Sequence, residues 1–413
     1  MTEPLSPPKR KNPLARTRRA LLPPSARSRT AHGLTLAAAE GRFALQRCGE
    51  CDTFTYPPRD ACPECLSSQL VFVDAPVGGV LVTSTTIHVT GDSYFREHMP
   101  WRQGIVVADC GPRIIAHLHA DCADGERVNL SLRLDKAGQP VVFAAPSQRA
   151  SSMQDDPALR EMTADPKYRR VLITNGRHPA TEALVRSFKN AGATSIFVGV
   201  AEAWKPLACE DRLGAIDGVQ LLPLDLTDQR SVFNLAADIA GKVDILVNTA
   251  DHVRPVHLFE PAGTRKLMEA INATVAGTMN LVQAFGPAMA GRGADGVNSA
   301  AAWVNLLSAY ALANAPEFGA VSVSHAACLS LSHWLRAELR RGGVRLLNAF
   351  AGPLDDEWYQ SVPAPRVSAG QLADGIIDGL RRGLEEIYVG DVARDIRARL
   401  AANPKALERE IDR

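Results

Sequence analysis

The sequence predicts a multidomain chain: a small sulfur-pinned ribbon and an all-β barrel, followed by an α/β domain with a doubly wound parallel sheet. Three observations carry this. Two Cys-x-x-Cys pairs, Cys48/Cys51 and Cys62/Cys65, are separated by ten residues. Residues 70–144 are short runs rich in Val, Ile and Thr, cut by Gly, Pro and Asp turns, as in a small barrel. From Arg170 onward apolar strand runs alternate with helical periodicity, the pattern of a parallel sheet covered on both faces.

Each Cys-x-x-Cys turn offers two sulfurs to one ion, so Cys48, Cys51, Cys62 and Cys65 can occupy the corners of a tetrahedron around Zn2+. Two disulfides or a redox pair are the alternatives. Redox pairs sit at strand-to-helix junctions, whereas these flank the turn residues Tyr56-Pro57-Pro58-Arg59-Asp60. Four thiolates leave no position for water, so the expected zinc is structural.

The totals exclude several classes. A chain of 413 residues exceeds one ordinary core, and a net charge of +1 gives no global attraction to nucleic acid or membrane. No apolar run reaches membrane-spanning length, and no signal-peptide pattern is present. Eight cysteines, four of them scattered (Cys110, Cys122, Cys209, Cys328), suit a reducing compartment, and the expected location is cytoplasmic.

Residues 1–31 carry eight Lys or Arg against the single acid Glu3, with six prolines interrupting any helix. They read as a disordered basic arm, a solvated tail in preference to a polyanion contact or a transit peptide. A short helix within Thr35–Leu45 leads into the strand that delivers Cys48, giving a ribbon over residues 32–68. The barrel is expected over 69–145. Residues 146–168, with Pro146, Ser147, Ser151, Ser152, Asp155, Asp156 and Pro157, read as a polar linker carrying one helical turn. The α/β domain takes 169–413.

Leu45-Gln46-Arg47-Cys48, Pro57-Pro58-Arg59 between the knuckles, and Gly79-Val80-Leu81-Val82-Thr83-Ser84 together resemble the family that joins a rubredoxin-like zinc ribbon to an OB-fold. The resemblance covers about residues 32–145. It implies a role beside thiolases, acyl-CoA acyltransferases and aldolases of the thiolase fold. An OB barrel also invites a nucleic-acid reading. Residues 66–145 hold six basic and eight acidic residues, a balance of −2, so the positive groove of a strand binder is missing. A nucleic-acid adaptor then rests on the basic arm alone.

The second half resembles the short-chain dehydrogenase/reductase family, with a Rossmann sheet. The carriers are Leu224-Asp225-Leu226-Thr227-Asp228, Asp244-Ile-Leu-Val-Asn248, Val304-Asn-Leu-Leu-Ser308 and Asn348-Ala-Phe-Ala-Gly352-Pro353. The family's nucleotide loop, Thr-Gly-x-x-x-Gly-Ile-Gly, here reads Thr174-Asn175-Gly176-Arg177-His178-Pro179-Ala180-Thr181. Its three glycine positions hold other residues, and Pro179 removes an N–H where a helix start would hold phosphate. This argues against NAD(P). Gly176 preserves some turn, Asp225 stands either at the adenine contact or in a capped turn, and Asn248 ends the fourth strand. The resemblance places the family's catalytic Asn, Ser, Tyr and Lys at Thr274, Ser308, Val321 and His325. Val321 cannot titrate, so the general acid–base contribution is absent. Tyr310 lies two residues past Ser308 without a Lys nearby, and His325 reads as a helix-surface or interface histidine.

The expectation is a non-catalytic accessory subunit that docks a thiolase-fold enzyme, with acyl-CoA at the shared interface. Two apolar-faced helices, around 273–290 and 322–339, are expected to serve the core and homo- or hetero-oligomer contacts. The alternative is an active NAD(P)-dependent oxidoreductase acting on an acyl-CoA or ketone.

Overall fold

In the computed structural model, residues 2–7, 21–148, 153–202, 204–207, 209–293 and 299–411 are described. They form two compact units, one built on Leu21–Asp165 with Arg381–Leu384 and the other on Pro166–Leu380 with the residues from Glu385 onward. Residues 1 and 8–20 of the expected basic arm lie outside the described residues.

The first unit begins with a helix, α1 (His32–Ala39), which buries Leu34, Ala37 and Ala38. It leads into β1 (Ala44–Cys48), the centre of a three-stranded antiparallel sheet with β2 (Phe54–Thr55) and β3 (Leu70–Asp74). β3 pairs with β1 through Ala44↔Asp74 to Cys48↔Leu70, so it belongs to the ribbon and the barrel starts later than residue 69. Five strands then close on themselves in the order β4-β5-β6-β8-β7: β4 (Gly78–Ile87), β5 (Trp101–Ala108), β6 (Arg113–Leu118), β7 (Arg127–Leu134) and β8 (Pro140–Pro146). Alternation decides which side chains fill it: Val128, Leu130, Leu132 and Leu134 of β7 point inward with Leu81, Val106, Ile114 and Leu118. A short helix, α2 (Ser93–Glu97), capped by the Asp92 carboxylate, bridges β4 and β5.

Residues expected to be loose are packed. α3 (Pro157–Glu161) buries Leu159 and, with Met162, joins a cluster around Trp101 and Phe143. The polar appearance of the 146–168 stretch misleads because its carboxylates are spent on backbone donors: Asp156 caps α3 at Leu159 and also accepts the Ala120 N–H. Within the arm, Pro23 is buried and Arg29–Ala31 form a 3-10 turn.

The second unit is a seven-stranded parallel sheet in the order β11-β10-β9-β12-β13-β14-β15. Its strands are β9 (Arg170–Ile173), β10 (Ser195–Val200), β11 (Val219–Pro223), β12 (Ile245–Asn248), β13 (Ala302–Ser308), β14 (Arg345–Ala351) and β15 (Glu386–Val389). Central strands are continuous apolar runs because helices cover both faces. The helices that matter for the site are α4 (Thr181–Asn190), α7 (Gly263–Ile271), α8 (Gly277–Gly291) and α9 (Gly319–Arg340). Strand order reverses between β9 and β12, where open α/β sheets receive ligands beyond the strand ends. Among the described residues no helix is long and apolar enough to cross a membrane.

Candidate functional site

The two sulfur knuckles repeat one geometry. The Cys48 N–H donates to the Thr53 carbonyl at 3.0 Å and the Cys62 N–H to the Ser67 carbonyl at 2.8 Å. The residue after each second cysteine, Asp52 or Leu66, sits in the left-handed region, at φ 61° and 62°. All four Sγ atoms lie within 4.8 Å of one another, with Cys48–Cys65 at 3.6 Å and Cys51–Cys62 at 3.5 Å. A tetrahedral ion with Zn–S of about 2.3 Å requires sulfurs about 3.8 Å apart, so this donor set fits zinc with little adjustment. The sulfurs also differ in how they ionise. The Thr53 side chain and backbone hold the Cys51 thiol down to about 6. The Ser67 N–H acts to lower Cys65, yet the neighbouring sulfurs, Cys51 foremost, and burial push it up to about 12. A dication removes that repulsion.

At the β9–β12 reversal, the loop expected to hold a dinucleotide has used its own donors. The Asn175 N–H goes to Thr249 Oγ1, Gly176 to the Gly199 carbonyl, Arg177 to Asn175 Oδ1 and His178 to the Asn175 carbonyl. Ala180 donates to His178 Nδ1 and Thr181 to the His178 carbonyl, while Pro179 has no N–H. Every amide from 175 to 181 is therefore engaged or absent. A pyrophosphate seat needs free N–H groups at a helix start, so the loop in this conformation does not fit one. Gly176 is kept for close approach: a Cβ there would stand 3.1 Å from the Gly199 oxygen. The Arg177 guanidinium donates to the carbonyls of Ala201, Glu202, Lys205 and Pro206, pinning the segment after β10. Asp225 closes a turn by accepting from the Thr227 N–H and hydroxyl. Asn248 is a buried link, donating to Thr278 and Asn305 and accepting from the Ala250 N–H.

The catalytic positions are brought together without their chemistry. Val321 is fully buried. Thr274 turns back to the Ala270 carbonyl at 2.6 Å inside a π turn, Asn272–Ala276. His325 is not on the helix surface as expected but 3% exposed. Its Nδ1 accepts the Ser308 N–H at 3.0 Å, which leaves Nε2 as the donor to Asp251 at 3.1 Å. Both ring nitrogens are committed, and the histidine acts as a clamp. Burial alone would raise the Asp251 carboxyl, but His325, the His178 ring and the His252 N–H together outweigh it and hold the group below the usual range.

Two participants were not foreseen. Tyr359, from the segment after β14, packs on Phe318 with ring centroids 4.9 Å apart and lies beside Ser308. Burial and the Asp251 carboxylate push its phenol well above 10, so it stays protonated and does not act as a base. His178 is buried and kept neutral by that burial, with Nε2 unpartnered. Neither has a sequence signal, because each is recruited by tertiary contact from outside the motif it serves.

Comparison with known proteins separates the two halves in the same way. Residues 37–71 match the family model described as ChsH2, rubredoxin-like zinc ribbon domain, and residues 169–365 match that for short chain dehydrogenase. The chain joins a zinc ribbon to a short-chain dehydrogenase domain. The dehydrogenase half is similar to the short chain dehydrogenase tazN of Aspergillus terreus, 27% identical over 179 residues, covering 42% of this chain and 39% of that protein. It is also similar to the short-chain dehydrogenase cctT of Talaromyces islandicus, 28% identical over 186 residues, covering 44% and 62%. The chain therefore spans less than two thirds of the curated relatives it matches. Among solved structures, a short chain dehydrogenase from Burkholderia cenocepacia in complex with NADP is 25% identical with a TM-score of 0.53, covering 59% of this chain and 97% of that one.

Proposed function

We propose that this protein is a non-catalytic accessory subunit of a thiolase-type acyl-CoA acyltransferase or aldolase, its dehydrogenase domain serving as a scaffold. The observation that carries this reading is the buried Val321 at the tyrosine position, beside a nucleotide loop whose amides are all engaged. The barrel order β4-β5-β6-β8-β7, with β6 and β8 parallel, supports the OB-fold reading. The ribbon and barrel then dock the thiolase-fold partner, with acyl-CoA at the shared interface. A second contact surface is supported by α8 and residues 319–335 of α9, which contain no Lys, Arg, Asp or Glu although Val323 and Trp334 are 45% and 62% exposed.

The test is reconstitution. Coexpression with a thiolase-fold subunit from the same host should give a complex that co-elutes on size exclusion and is lost on zinc chelation. Failure to associate sinks the reading. The second reading, an active NAD(P)-dependent oxidoreductase, is favoured by the NADP held by the Burkholderia cenocepacia protein. It requires the 174–181 loop to release its amides. Micromolar NADPH binding with turnover of a 3-hydroxyacyl-CoA by the isolated chain would establish it.

A further inference from the structure

The first unit contains a cavity of about 210 Å3 that no part of the function above uses. Phe95, Trp101, Val141, Met162, Pro23 and Pro24 give it apolar walls, and the polar side chains of Tyr94, Gln103 and His117 with the charged Arg27, Asp135 and Glu161 complete the lining. Phe95 and Trp101 meet edge to face at 5.3 Å. An apolar cavity of roughly 150 Å3 takes up benzene, so this volume holds one substituted ring.

One polar group on the wall is fixed in a single state. The Trp101 indole N–H donates to His117 Nδ1 at 2.7 Å, so Nδ1 is bare and the proton sits on Nε2. Burial pushes the His117 imidazole down to about 4, which keeps it neutral at physiological pH. Nε2–H has no hydrogen-bond partner among the described residues, and His117 lines the cavity. Alongside the Arg27 guanidinium and the Gln103 amide, the lining therefore offers one donor fixed in a single tautomer.

The charged groups of the lining already face opposite charges. Glu161 meets Lys136 at 2.6 Å and His98 at 3.4 Å, and Arg27 lies 4.0 Å from Asp135. An ionised guest would have to compete with these pairs for a counter-charge while losing its own hydration, which costs more than it returns. We infer that this cavity is a binding site for a single uncharged ring bearing a hydrogen-bond acceptor oxygen, held by Phe95 and Trp101 and oriented by the His117 Nε2–H.

Benzamide, toluene, benzoate and benzylammonium, titrated against the full-length zinc-loaded protein by ligand-detected NMR and calorimetry, test this. Benzamide is expected to bind about five- to tenfold more tightly than toluene, the usual worth of one hydrogen bond, and both ions to bind more weakly still. His117→Gln keeps a donor near the same place and should retain the preference for benzamide. His117→Phe should abolish it while leaving toluene bound. Trp101→Phe, which releases the tautomer, should narrow the ratio if His117→Phe fails to fold. Equal binding of benzamide and toluene to the native protein, no binding of either, or an unchanged ratio in a folded His117→Phe protein would overturn the assignment.

Discussion

Leu66 and Asp52 occupy equivalent places after the two knuckles, both with φ near 60°. Asp tolerates that conformation through local hydrogen bonding, whereas a leucine there is strained by about 1 kcal/mol or more. Leu66 is also 79% exposed, so its side chain returns little by burial. Leu66→Asn should raise stability by about 1 kcal/mol, read as a higher melting temperature at unchanged zinc content. Cys48 shows the opposite case. It is fully buried, and Cys48→Ser should drop bound zinc from one equivalent to none by metal analysis, with loss of the ribbon fold. The four ligands were legible because Cys-x-x-Cys is a local geometry. The His325–Asp251–Ser308 clamp was not, since its members are 17 and 74 residues apart and meet only through the sheet.

Elements were read best where burial follows a period. The β9, β12, β13 and β14 runs are largely apolar and almost wholly buried and stood out. α3 was legible only as one helical turn in a polar linker, because it is five residues long and its neighbourhood is held by charge. At its end Glu161 accepts the Tyr94 hydroxyl at 3.0 Å and meets Lys136 and His98. Burial works to raise the Glu161 carboxyl, but Lys136 and His98 together drive it far below 4.5. A depressed carboxyl contributes stability above its unfolded value and loses it as pH falls. For His98, burial works downward, yet Glu161 raises the imidazole above 6.5, so its contribution is full below about 6.5 and fades as pH climbs through the folded value. The first unit should therefore weaken as pH falls below about 4.5 and again as pH rises above about 6.5, as followed by denaturant midpoints across pH. Lys136→Met leaves Glu161 with half its partners and should cost about 3 kcal/mol at neutral pH.

At the scale of the molecule, the proposed scaffold role of the dehydrogenase domain rests on two departures from the family's pattern, and the two are separable. The acid–base departure sits on α9 at Val321 and His325, and the phosphate-loop departure sits on the loop between β9 and α4. Rebuilding only the first, with Val321→Tyr and His325→Lys, should give no NADPH oxidation. It should also destabilise the unit by about 1–3 kcal/mol, because the buried Ser308 N–H loses its acceptor. Replacing Asn175–Thr181 with a glycine-rich loop restores free amides at the α4 start, and that variant should quench on NADPH titration without turnover. Only the combined variant has both a cofactor seat and a proton donor, and it alone should turn over. Even there Tyr359 fills space against Ser308, so removing its ring with Tyr359→Ala should raise the rate of the combined protein further. NADPH oxidation by the α9 pair alone would mean that the loop amides are free in solution and that the nucleotide seat was never lost.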